Sequence, residues 1–163
     1  MKKIGKLIGL VMAALAAILL TPNVSLAINQ NDTTLVNNWN WKCLEIDGSS
    51  QSNGARAQMW NCAGQAGARW KVQGDNGAYR IINRNSGKCL EIADSRTDNG
   101  APVQQWSCGD RDTQRWKFAS SYIYNVNSGK VIEIDNGSDA NGARVQQWSI
   151  AGKTWQNWSY GNN

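Results

Sequence analysis

The chain has 163 residues and a net charge of +5, with nine Trp, four Cys, one Phe and no His. The lack of His excludes Ser-His-Asp and Cys-His catalytic pairs and any His-ligated metal site. The length suits one domain, and 18% charged residues is no polyelectrolyte.

The N-terminal segment accounts for much of the charge. Lys2, Lys3 and Lys6 form a basic start, Leu7 to Leu20 is apolar, Thr21-Pro22 breaks the run, and Ser25-Leu26-Ala27 supplies small residues where a signal peptidase reads. Residues 1–27 therefore read as a secretory signal peptide cleaved after Ala27. The competing transmembrane helix needs ~20 apolar residues, more than the 14 from Leu7 to Leu20. No Cys stands at the cleavage point to take a lipid anchor. The expected mature domain, 28–163, loses three Lys and no acid, which leaves +2. Only 19 of its 136 residues are Leu, Ile, Val or Phe, so aromatics, disulfides or repeats must supplement a thin aliphatic core.

Three repeats run in one register. With Cys43, Cys89 and Val131 as anchors, Glu45, Glu91 and Glu133 follow two residues on, and Asn53, Asn99 and Asn141 ten on, each before Gly-Ala. Gln58, Gln104 and Gln146 come at fifteen, Trp60, Trp106 and Trp148 at seventeen, and Trp70, Trp116 and Trp158 at twenty-seven. Before each anchor an apolar-rich run leads to Asn37, Asn83 and Asn125. The anchors are 46 and then 42 residues apart, the difference being an insertion after Trp70 in which Asp75-Asn76-Gly77 reads as a hairpin turn. The repeats span about 33–77, 78–119 and 120–160.

The same register selects Cys43–Cys62 and Cys89–Cys108 among three possible pairings. In the third repeat Val131 and Ile150 stand at those positions, an apolar contact in place of a bridge. A four-Cys zinc site would show close Cys pairs, and the sequence has none. Leu44 and Ile46, Leu90 and Ile92, and Ile132 and Ile134 alternate with the Glu between them. That period-two pattern predicts strands with the aliphatics inward and the Glu outward and solvated. Gln104 and Gln146 are expected to bond backbone within their own repeats. Three such all-β units suggest closure about a three-fold axis, which hides sheet edges.

Lys-Cys-Leu-Glu-Ile (42–46), Asn-Gly-Ala-Pro-Val-Gln-Gln-Trp (99–106) and Gln-Arg-Trp (114–116), with their counterparts, resemble the ricin B-type β-trefoil with its Gln-x-Trp repeats. The resemblance covers 33–160. It implies twelve strands, a six-stranded barrel capped by three hairpins, and up to three shallow sugar sites. By position the site acids are Glu45, Glu91 and Glu133, and the aromatic platforms are Trp60, Trp106 and Trp148. The family's Asn-Gln pair falls on Gly67-Ala68, Thr113-Gln114 and Trp155-Gln156. Trp70, Trp116 and Trp158 resemble the family's buried Trp. The family acid is usually Asp, whereas here it is Glu; the Asn is missing throughout, and only Gln114 and Gln156 keep the Gln. The second site therefore ranks first, the third next and the first last, with Asp94 a possible extra acceptor in the second. Trp39, Trp41 and Trp155 fall outside the repeat.

These observations predict a secreted or periplasmic, non-catalytic carbohydrate-binding protein that takes glycans or polysaccharide and needs no cofactor or metal. A carboxylate accepts charge-assisted bonds from hydroxyls, and a Trp face covers the apolar face of a pyranose. One shallow site is weak, and several sites on a polymer gain avidity. A glycosidase using Glu45 and Asp47 is a poorer fit, since Ala93 replaces the second acid in the next repeat and little room exists for a cleft. A protein-binding or toxin-associated trefoil with decayed sugar sites is the other alternative. A mature charge of +2 without a basic cluster argues against nucleic acid, and signal cleavage would leave no stable membrane insertion.

Overall fold

A computed structural model describes residues 29–75 and 77–161. The signal peptide expected over 1–27 lies outside the described residues, as does Asn76. Among the described residues twelve strands follow in order: β1 (Asn29–Asn37), β2 (Cys43–Ile46), β3 (Ala57–Trp60), β4 (Trp70–Asp75), β5 (Ala78–Asn83), β6 (Cys89–Ile92), β7 (Val103–Trp106), β8 (Trp116–Ala119), β9 (Tyr122–Asn125), β10 (Val131–Ile134), β11 (Ala143–Trp148) and β12 (Trp158–Gly161). The expected insertion turn is a β4–β5 hairpin in which Asp75 pairs with Ala78.

The chain forms a β-trefoil. Strands β1, β4, β5, β8, β9 and β12 make the barrel through antiparallel pairs. Trp158 N–H to Ser121 O, 2.7 Å, ties the start of β12 to the β8–β9 turn. The hairpins β2–β3, β6–β7 and β10–β11 form the cap. Trp70, Trp116 and Trp158 are buried in the core, and each indole N–H donates to a carbonyl 26 residues earlier, of Leu44, Leu90 and Ile132 respectively. That bond lets a large aromatic fill a small core without leaving its N–H unsatisfied.

The disulfides are Cys43–Cys62 and Cys89–Cys108. In the third repeat Val131 is fully buried but Ile150 is 54% exposed, so the apolar substitute for a bridge lies at the surface.

A ring of hydrogen bonds joins the repeats. Asn53 Oδ1 accepts from Ser107 N–H, Asn99 Oδ1 from Ser149 N–H, and Asn141 Oδ1 from Asn61 N–H. Each acceptor is the Asn of one repeat, and each donor is the residue after the Gln-x-Trp tryptophan of the next.

Candidate functional site

The spacing in Gln-x-Trp has a direct cause. In each cap hairpin the Gln pairs opposite the Glu, and the Trp, two residues on and so on the same face, pairs opposite the anchor. The registers are Glu45↔Gln58 with Cys43↔Trp60, Glu91↔Gln104 with Cys89↔Trp106, and Glu133↔Gln146 with Val131↔Trp148.

The three Glu are only 5% exposed, which corrects the expectation of outward, solvated side chains. Period two places Glu opposite the aliphatics, but both faces of these strands are covered. Gln104 and Gln146 do not bond backbone as expected, and Gln58 follows the same course. The Nε2 of Gln58, Gln104 and Gln146 donates to Oε1 of Glu45, Glu91 and Glu133 at 2.9, 3.0 and 3.1 Å. The second carboxylate oxygen is also held: Gln114 Nε2 donates to Glu91 Oε2 at 2.8 Å and Gln156 Nε2 to Glu133 Oε2 at 2.7 Å. A buried carboxylate needs such partners, because unpaired charge is costly inside a protein.

The first repeat, which has Ala68 where the others have Gln, completes the same arrangement with another residue. Gln65 Nε2 donates to Glu45 Oε2 at 2.6 Å and to Asn61 O at 2.9 Å, and its Oε1 accepts from Ala63 N–H. Gln114 and Gln156 make the corresponding bonds with Ser107 and Gly109, and with Ser149 and Ala151. Gln65 stands just before the 3-10 turn Ala66–Ala68, whereas Gln114 and Gln156 end the equivalent turns. Residues three apart in such a turn eclipse one another, so either position reaches the same carboxylate. Positional matching missed Gln65; the 3-10 spacing is the signal that finds it.

Each of the first two networks opens on a shallow depression. The first, of about 290 Å³, is lined by Glu45, Asp47, Gln58, Trp60 and Gln65 among others. The second, of about 140 Å³, includes Glu91, Asp94, Gln104, Trp106 and Arg111. Trp60 and Trp148 are exposed and Trp106 is half-buried. Asp94 occupies the left-handed region at φ 56° in the turn Ala93–Ser95 that rims the second depression. Arg111 Nη1 approaches Glu91 Oε2 at 3.9 Å. In the third repeat Arg144 donates to Asp135 Oδ2 and to Gln146 Oε1. Asp47 does not stand free beside Glu45, since Gln58 Nε2 donates to both carboxylates. Among the described residues no three His, Cys, Asp or Glu side chains gather as a metal site.

The family model described as ricin-type beta-trefoil lectin domain-like matches residues 23–106, 69–148 and 112–163. The chain belongs to that family. The overlapping matches step along the chain as the repeats do. Among solved structures, the designed 3-fold symmetric protein ThreeFoil is 28% identical, with a TM-score of 0.78 over 82% of this chain and 100% of its own. An exo-beta-1,3-galactanase from Clostridium thermocellum is also 28% identical, with a TM-score of 0.76 over 85% of this chain. The trefoil spans only 30% of that enzyme. The C-half of the earthworm R-type lectin, solved in complex with GalNAc, shares the fold at 14% identity and a TM-score of 0.67, over 80% of this chain and 98% of its own. A comparison with curated protein sequences finds no match.

Proposed function

We propose that this trefoil is an exported, non-catalytic carbohydrate-binding protein whose three repeats each offer a weak, shallow sugar site. The observation that carries the proposal is the threefold recurrence of one pairing: a Trp at the surface beside a Glu whose two oxygens are fixed by Gln amides. Each carboxylate oxygen has two acceptor positions, so an oxygen bound to one Gln still has capacity for a hydroxyl. Glu45, Glu91 and Glu133 are the acceptors, and Trp60, Trp106 and Trp148 the platforms. The first site now stands level with the others, because Gln65 supplies the donor that Ala68 lacks. The earthworm lectin, solved in complex with GalNAc, favours glycan as the ligand. The two disulfides suit an oxidising destination.

A non-catalytic role fits the geometry better than hydrolysis. Glu45 and Asp47 share one Gln58 donor in an open depression, and no deep cleft surrounds them. The galactanase likeness covers 30% of that enzyme. A second reading, a protein-binding trefoil whose sugar sites have decayed, draws on the near-complete burial of the three Glu.

A glycan array with the purified protein tests the proposal, alongside Trp60→Ala, Trp106→Ala and Trp148→Ala. Retention on at least one glycan class, lost stepwise through these variants, is the expected result. No retention on any glycan or insoluble polysaccharide would sink it, and release of reducing sugar from a bound polymer would overturn its non-catalytic part.

A further inference from the structure

The three Trp outside the repeat gather at one corner, where the third repeat meets the first. Trp39 and Trp155 meet edge to face, with ring centroids 6.1 Å apart. Trp155 takes the position of Gly67 and Thr113, and lies so close to Gly137 that a Cβ there would stand 2.7 Å from its ring. Trp39 takes the position of Asn85 and Asn127 and makes an equivalent bond. Its Nε1 donates to Gly137 O at 3.0 Å, as Asn85 Nδ2 donates to Ser49 O and Asn127 Nδ2 to Ser95 O. Packing therefore accounts for Trp155 and for one edge of Trp39.

It does not account for Trp41. The turn that carries it occurs three times, with N–H bonds from Trp41 to Asn37 O, Gly87 to Asn83 O and Gly129 to Asn125 O. The residue in question is left-handed in all three, at φ 59°, 70° and 68°. Two repeats place Gly there, the residue for which that region carries no Cβ penalty. The first places Trp, 71% exposed. A bulky side chain in the left-handed region is strained, and such strain collects where it serves a function.

Trp39 and Trp41 line a depression of about 360 Å³ with Asn40, Lys42 and Asp139. Asn40 and Lys42 are engaged, Asn40 Nδ2 with Ser138 O and Lys42 Nζ with Asn61 Oδ1. Asp139 takes part in no side-chain hydrogen bond or ion pair among the described residues, and its carboxylate is exposed. Exposed indole rings beside a carboxylate bring together the same two kinds of group as the sugar sites, although Asp139 is open where the three Glu are buried. The corner also continues into the third site, because Gly137 ends the turn Asp135–Gly137 that corresponds to the turns rimming the first two depressions.

We propose that Trp39, Trp41 and Asp139 form an additional subsite that holds a further pyranose ring of a polysaccharide lying across the third repeat. This rests on the carbohydrate-binding function proposed above.

The test is affinity electrophoresis of the purified protein in gels containing β-1,3-galactan, β-1,3-glucan, xylan or mannan. The variant W39N/W41G installs the residues of the second and third repeats. It keeps a donor for Gly137 O and relieves the backbone at 41 but gives up the Trp39–Trp155 ring contact, so retention is read on protein whose melting curve shows it folded. Its retention by polymer should weaken roughly tenfold, the scale of about 1.4 kcal/mol, while binding of a monosaccharide stays unchanged. Should the double variant fold poorly, W41G alone decides, with a smaller loss of the same kind. Undiminished retention of a folded variant overturns the subsite and leaves the main proposal standing. Loss in W39N/W41G and in W148A with none in W60A or W106A overturns the three-site proposal and keeps this one, whereas loss in W39N/W41G with none in W148A overturns the path across the third repeat. If no polymer retains the wild type, both fall.

Discussion

Gln65 Nε2 donates to Glu45 Oε2 across 2.6 Å, and this bond restores to the first repeat the donor that Ala68 lacks. The acceptor is 5% exposed, so the donor is not easily replaced by water. Gln65→Ala should therefore destabilise the fold by ~1–3 kcal/mol, the cost of leaving a buried polar group without its partner. Gln114→Ala should cost at least as much, because Gln114 is itself fully buried. Urea denaturation of both variants measures the two values. A negligible change in both would mean that the amides do not hold the carboxylates.

Trp116→Phe removes the bond from the indole N–H to Leu90 O, 3.1 Å, at a site with no solvent access. The variant keeps an aromatic ring but orphans a buried carbonyl and leaves a void. A loss of ~2–4 kcal/mol combines both effects. Trp70→Phe should behave alike, since its indole bonds Leu44 O in the same way. Chemical denaturation checks each, and a loss confined to one would break the equivalence of the repeats.

Removing Cys43–Cys62 or Cys89–Cys108 by paired Ser substitutions should cost ~2–4 kcal/mol each. Each closes a loop of the same length, with a sequence separation of 19. Because the third repeat has no bridge, reduction should loosen two corners of the cap and leave the third as it was. Hydrogen exchange before and after reduction would reveal that asymmetry.

Alkaline pH should weaken the fold through Tyr160. Partial burial first, with the residue still 36% exposed, and Tyr79 second push its phenol up to about 12, against ~10 in an unfolded chain. The folded state thus favours the neutral phenol, and the resulting stability is full below pH ~10. It declines as pH rises from there through the folded value. Melting temperature measured between pH 9 and 12 should fall more steeply for the wild type than for Tyr160→Phe. Equal slopes would remove Tyr160 from the account.

Much of the fold is legible in the sequence because the repeats share one register. Trp, Gln, Glu and Asn recur at fixed offsets, and those offsets dictate the hairpins, the bridges and the barrel. The exposure of Glu45, Glu91 and Glu133 is not legible, because alternation along a strand separates two faces without saying whether one is wet. Gln65 escapes positional matching because that matching counts residues, whereas a 3-10 turn brings positions three apart into line. Trp39 and Trp41 look unrepeated only until they are set against Asn85 and Gly87. The meeting of Trp39 with Trp155 depends on closure of the barrel, which no local pattern displays.

The bonds from Asn53, Asn99 and Asn141 give ownership of each proposed sugar site to two repeats at once. The strand end that presents Trp106 is anchored by a loop of the repeat before it, and the strand end that presents Trp60 is anchored by a loop arriving from the far end of the chain. A single repeat made as a separate peptide would hold its own Glu and Gln yet lack the brace for its Trp. It could regain that brace only by assembling head to tail with two copies of itself, so the proposed recognition would belong to the junctions and not to the units.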